Sequence, residues 1–171
     1  MLWLRSMVVL LMLGAATAGV YAASPPMTDW KLYRSESFGF EVRYPSTWLV
    51  RQSTGTMESV ALSETPEAGR PYRMVQFIVQ RAINPKRLDI KQWYADQLKK
   101  VGPSPLLAID TTLARRPAIR MENVGTLGKQ FTLFTLLNET DIFQITISQP
   151  SSASQLDPLY EAIISSVRFV N

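Results

Sequence analysis

The chain of 171 residues contains no cysteine and no histidine. Without cysteine there is no disulfide framework, no thiol nucleophile and no thiolate metal site. Without histidine the commonest general base, the Ser–His and Cys–His pairs and the usual transition-metal ligand are gone too. No Gly-x-Ser-x-Gly elbow, no Ser-x-x-Lys, no phosphate-cradling glycine loop and no Asp-x-Asp-x-Asp calcium loop occurs. The expectation is a protein without cofactor or metal, and not an enzyme. One catalytic alternative survives, a hydrolase running on carboxylates, with Asp110 and Glu122 on neighbouring strands as the pair. Such a pair must face one cleft at roughly 5–9 Å.

What is present begins with a leader. Arg5 gives a short positive start, residues 7–13 are an unbroken apolar run, and small residues follow to Gly19. Val20, Tyr21 and Ala22 then offer short side chains at the positions a signal peptidase reads. The reading is a secretory signal peptide over residues 1–22, cut between Ala22 and Ala23, a flexible leader over 23–29 and one domain over 30–171. The alternative is a membrane-tethered module with an uncleaved anchor. The apolar core is short for that, because spanning takes about 20 apolar residues. With no cysteine at the cut, lipoprotein processing is excluded. The expected compartment is the periplasm or the medium. A chain of this size buries about 68–70% of its unfolded surface, enough to do without crosslinks.

The formal net charge is +4, and it is unevenly placed. Residues 81–120 carry nine basic side chains against Asp89, Asp96 and Asp110, whereas residues 121–171 carry two basic and five acidic. Lys99, Lys100, Arg115, Arg116 and Arg120 are therefore candidate partner-binding residues. Two adjacent arginines at a strand start cannot both be buried, so Arg115 and Arg116 present at least one guanidinium to solvent. The partner class is an unknown protein or another anionic component of the envelope, including peripheral contact with anionic membrane, and not nucleic acid. The competing reading is that these charges point apart and serve solubility alone.

Periodicity lays out the elements. Strands are predicted over residues 30–34, 40–44, 48–52, 57–63 and 74–81, with the run from Trp48 continuing the sheet of Phe40, Val42 and Tyr44 after a tight turn. Asp89 caps a helix whose stripe is Ile90, Trp93, Tyr94 and Leu98. At that spacing Trp93 and Tyr94 pack on the sheet rather than line a groove. Strands follow over 106–113, 117–124, 129–137 and 142–148, joined by turns short enough to make antiparallel neighbours. Residues 131–137 are apolar on both faces, the mark of a central strand. Gly125 and Gly128 bracket a hairpin turn. Asp157 caps a second helix with Pro158 at its first position and Leu159, Ile163 and Ile164 buried, and residues 167–170 form a last short strand. The predicted class is α+β, an antiparallel sheet flanked by helices.

Residues 37–48 are the most specific stretch. Phe38, Gly39 and Phe40 lead an alternating strand into Tyr44 and Pro45, and Trp48 follows. Gly39 suits a φ that other residues avoid, and Pro45 ends the ladder. This resembles the N-terminal signature of the PsbP/Mog1/DcrB-like domains, with weaker support from residues 163–169. The resemblance implies an antiparallel sheet in an α-β-α sandwich. It also implies a non-catalytic binding or assembly accessory, since members include photosystem accessory subunits and chaperones of membrane segments.

Overall fold

The computed structural model describes residues 27–54, 58–68, 72–101, 107–125, 128–149 and 155–170. The signal-peptide reading, its cut at Ala22 and Ala23, and most of the predicted leader lie outside them. A 3-10 turn, Met27–Asp29, leads into β1 (Trp30–Ser35) and β2 (Phe40–Pro45). Then come β3 (Leu49–Thr54), β4 (Glu58–Ser63), β5 (Met74–Gln80), α1 (Ile90–Val101), β6 (Leu107–Leu113), β7 (Arg116–Gly125), β8 (Gly128–Leu136) and β9 (Ile142–Gln149). α2 (Pro158–Ser165) and the short β10 (Arg168–Phe169) close the described chain. The class is α+β, as the alternation of patterns predicted.

The strands form two antiparallel sheets, not one. Seven make the large sheet in the order β3-β4-β5-β9-β8-β7-β6, and β1-β2-β10 make a small one. The expectation that the run from Trp48 continues the sheet of β2 is therefore corrected. Pro45 removes the donor the ladder would need, the amide of Trp48 turns back onto the Pro45 carbonyl at 3.0 Å, and the chain crosses to β4. The alternation read in β2 faces a second layer: Phe40, Val42 and Tyr44 are buried against the large sheet.

Phe40 joins the layers. Its ring centroid is 5.1 Å from that of Phe77 on β5 and 4.9 Å from that of Phe143 on β9. Gly39 precedes it with φ +70, the left-handed conformation that glycine adopts without steric cost. Its carbonyl accepts from Val170, which ties the end of β10 beside the signature.

α2 lies on this same side. Asp157 caps it through the Leu159 amide at 2.9 Å. Its most buried residues are Tyr160, Ala162 and Ile163, while Leu159 and Ile164 pack at the margin of the core. The predicted stripe is thus turned toward Tyr160. The Tyr160 hydroxyl accepts from the Met74 amide and donates to the Ser148 carbonyl, and burial pushes its pKa up to about 12.

α1 covers the opposite face of the large sheet, over β7 and β8. Asp89 caps it by accepting from the Lys91 and Gln92 amides, each at 2.9 Å. Ile90, Trp93 and Tyr94 are buried with Ile119 and Ile142, and Leu98 packs at their edge. β8 is covered on both sides, Phe131 and Leu133 facing α2's layer and Phe134 and Leu136 facing α1.

The turns at one end are fixed by Asp141. Its carboxylate accepts from the Ala82 amide at 2.8 Å, Arg81 at 3.1 Å, Asn138 at 3.0 Å and Thr140 at 3.1 Å. Burial alone would raise its pKa, but these bonds outweigh it and hold the group at about 2. The Asp141 carbonyl in turn accepts from Leu137. Among the described residues no helix is long and apolar enough to cross a membrane.

Candidate functional site

The β6–β7 hairpin closes on the pair Leu113 and Arg116, leaving Ala114 and Arg115 as its two-residue loop. Both loop residues have positive φ, 47 for Ala114 and 67 for Arg115. Type I′ turns need that geometry, and they ordinarily carry Asn or Gly there. The strain is held in place by pairing on both sides, and it turns Arg115 outward while Arg116 enters the strand.

Arg116 is half-buried. Its Nη1 donates to the Leu136 and Leu137 carbonyls at 2.9 and 2.6 Å, and its guanidinium lies 4.1 Å above the Phe169 ring. Burial pulls its pKa down from the ordinary arginine value. Beside Phe169, Arg168 donates from Nη1 to the Ser165 and Val167 carbonyls at 2.8 and 2.7 Å. That satisfies an orphan carbonyl at the end of α2.

Arg115, Arg116 and Arg168 line one cleft of 540 Å³ together with Ala114, Ser165 and Phe169. Among the described residues no carboxylate pairs with any of the three arginines. Three guanidinium groups, one of them partly desolvated, thus converge without a counter-charge among the described residues. Each presents further N–H donors suited to a carboxylate or phosphate.

A second cleft of 640 Å³ adjoins the first, and Arg116 lines both. Ile90, Pro117, Leu136 and Leu137 give it apolar walls. Its two carboxylates are already engaged. Asp89 caps α1, and Glu139 is 3.1 Å from Arg87.

The other predicted basic residues are not brought here. Lys99 is exposed in the last turn of α1, and Lys100 lies 3.0 Å from Asp96. Arg120 is on the other face of the sheet from α1. Ile119 and Met121, its neighbours in β7, pack under that helix, and side chains alternate along a strand. Arg120 instead meets Glu122 at 2.7 Å and lies 4.9 Å above the Phe131 ring. Its Nε is buried without a hydrogen-bond partner. Of the five, only Arg115 and Arg116 share a site, and the third member, Arg168, was not predicted. It is a lone cation 52 residues from Arg116, and no spacing marks it.

The Asp110–Glu122 pair is corrected by the same alternation. Asp110 is opposite Ile119 and so faces α1, where Lys91 bonds to it, whereas Glu122 shares the face of Arg120. The two carboxylates project from opposite sides of the sheet, so they cannot flank one scissile bond. Trp93 and Tyr94 pack on Phe134 with ring centroids 5.6 and 6.4 Å away, as their spacing predicted. Gly125 and Gly128 pair across the end of the β7–β8 hairpin.

No protein-family model matches the sequence, and no curated protein matches it. Solved structures do. The solution structure of cyanobacterial PsbP (CyanoP) from Synechocystis sp. PCC 6803 superposes with a TM-score of 0.57 at 15% identity, covering 92% of this chain and 98% of that one. A crystal structure from Bacteroides thetaiotaomicron VPI-5482 matches with a TM-score of 0.54 at 11% identity over 84% of this chain. The match takes in 49% of that longer chain, so this chain corresponds to about half of it. The chain has a PsbP-like fold, the architecture that Phe38 to Trp48 suggested.

Proposed function

We propose that the protein is a non-catalytic binding or assembly module, exported to the cell envelope, that holds an anionic group of its partner among Arg115, Arg116 and Arg168. The observation that carries this reading is the meeting of three arginines from two distant segments in one cleft, with no carboxylate paired to them among the described residues. A partly desolvated cation gains most from a counter-ion that it does not yet have. The cleft is concave, which suits a carboxylate or phosphate on a molecule able to enter it better than a flat surface. Fold alone does not carry function, so likeness to cyanobacterial PsbP supports the accessory role only as analogy. Export rests on the leader pattern of residues 1–22.

Titration with sodium phosphate and sodium glutarate, read on arginine Nε–H NMR resonances at low and high salt, tests the site. The expected result is saturable movement of the resonances of Arg115, Arg116 and Arg168, weakened by salt and lost in Arg115→Glu/Arg168→Glu. Equal, unsaturable drift of all arginine resonances would overturn it. Intact-mass analysis of exported material tests the compartment. The expected mature form starts at Ala23, and retention of Met1 to Ala22 would replace export by tethering.

A further inference from the structure

Resting on the reading of the arginine cleft as an anion site, we infer that its occupant is the free C-terminal end of a polypeptide. The α-carboxylate lies among Arg115, Arg116 and Arg168, and the last apolar side chain lies in the adjoining cleft against Ile90, Pro117, Leu136 and Leu137.

The argument starts from Arg116. Its guanidinium is bonded to the carbonyls of Leu136 and Leu137, which line the apolar cleft, and stacked on Phe169, which lines the arginine cleft. Cationic and apolar surfaces are therefore contiguous across a single side chain. An occupant that fills both must carry a localised negative charge directly beside an apolar group. A chain terminus does so by covalent structure, since the α-carboxylate and the last side chain leave the same carbon. Capture of a terminal carboxylate by converging donors, with an apolar pocket reading the last side chain, is a known recognition mode. The planar guanidinium fork matches a carboxylate through two parallel hydrogen bonds.

The polar groups among the walls of the apolar cleft argue against the rival occupants. Asp89, Lys91, Asn138 and Glu139 line it beside Ile90 and Leu137. A bilayer presents a broad, flat surface that does not enter a concave cleft to reach them. A bare hydrocarbon chain would strip them of water without giving a hydrogen bond back. A peptide brings one carboxylate at the arginine end and amide groups elsewhere, and these stay compatible with polar walls. The volumes, 540 and 640 Å³, fall within the range of ligand clefts.

The probe is a fluorescein-labelled hexapeptide pool randomised at five positions and ending in leucine, prepared as free acid and as C-terminal amide. Fluorescence anisotropy is measured against the wild type, Arg115→Ala and Pro117→Glu. Arg115 and Pro117 are both exposed, and circular dichroism verifies that each variant is folded. The free acid is expected to bind at least about tenfold more tightly than the amide, because charge-assisted hydrogen bonds are lost on amidation. Arg115→Ala should remove most of that difference, and Pro117→Glu should weaken the acid by repulsion. Equal affinity for acid and amide, or no saturable binding of the acid, overturns the inference. If phosphate moves the three arginine resonances and the acid peptides do not displace it, the anion site stands and the terminus reading falls. If neither binds, both fall. Salt-sensitive sedimentation with phosphatidylglycerol vesicles, unaffected by excess acid peptide, would assign the cleft to a membrane surface and likewise overturn it.

Discussion

The guanidinium of Arg116 stacks on the ring of Phe169 at 4.1 Å, joining the start of β7 in the large sheet to the end of β10 in the small one. Phe169 also meets Phe143 edge-on at 5.2 Å, so the cation sits on an aromatic cluster that runs through Phe143 to Phe40 and Phe77. The candidate site is in this way mounted on the junction of the two sheets. Arg116→Lys keeps the charge and loses the planar fork and the stacking. It should lower stability by about 1–2 kcal/mol, from one or two carbonyl bonds and a cation–π contact. Thermal denaturation checks it, and an unchanged midpoint would remove the structural half of the Arg116 role.

Phe40 is the side chain on which the two layers meet, and it is 1% exposed. Phe40→Ala should cost about 3–5 kcal/mol, as large-to-small changes at buried aromatics do. Phe40→Leu should cost clearly less. Urea unfolding midpoints measure both. A loss below about 1 kcal/mol for the alanine variant would mean that the small sheet is not held through this ring.

Much of this was legible before the structure. Element types followed from local periodicity, because half-buried strands alternate and α1 carries its stripe whatever the topology. The doubly apolar β8 read as central because a strand covered on both faces must be apolar on both. The assignment of β2 and β3 to separate sheets was not legible, since a turn after Pro45 permits either a hairpin or a crossover. The site was half legible. Arg115 and Arg116 stood out as a pair, but Arg168 joins them only through the pairing of β10 with β2 and the packing of α2. Arg120, close in sequence, was lost to the site because its position in β7 directs it to the face of Phe131 and Glu122.

Asp141 predicts an acid transition. Its pKa of about 2 lies below the ordinary aspartate value of about 3.9 that it takes in the unfolded chain. The folded state therefore binds fewer protons than the unfolded state between these values. The stabilisation is full above about pH 4 and is lost as pH falls through about 2. A shift of this size corresponds to about 2–3 kcal/mol at neutral pH. Asp141→Asn should lose roughly that amount and flatten the dependence of the melting temperature on pH between 4 and 2. An unaltered slope in the variant would place the acid sensitivity elsewhere.

The Ala114–Arg115 turn separates stability from function. Both residues hold positive φ, at 47 and 67, in a two-residue loop. A non-glycine residue in the left-handed region costs on the order of 1–2 kcal/mol, and Asn-Gly is the sequence that such a turn prefers. Ala114→Asn/Arg115→Gly should therefore raise stability by about 1 kcal/mol, the lost freedom of the unfolded glycine offsetting part of the gain. The same change removes one of the two exposed arginines of the cleft. It should weaken anion binding, even though the protein becomes harder to unfold. Ala114→Asn alone keeps Arg115 and should give part of the stability with binding intact. Chemical denaturation and phosphate titration on the same three proteins make the comparison. If the double variant is more stable and binds phosphate as well as the wild type, the strained turn has no bearing on the arginine cleft. If it is less stable, the turn is not strained in the way its backbone angles indicate. A gain in stability coupled to a loss of binding is the outcome expected if arginine is kept at this position for contact with a ligand and not for the fold.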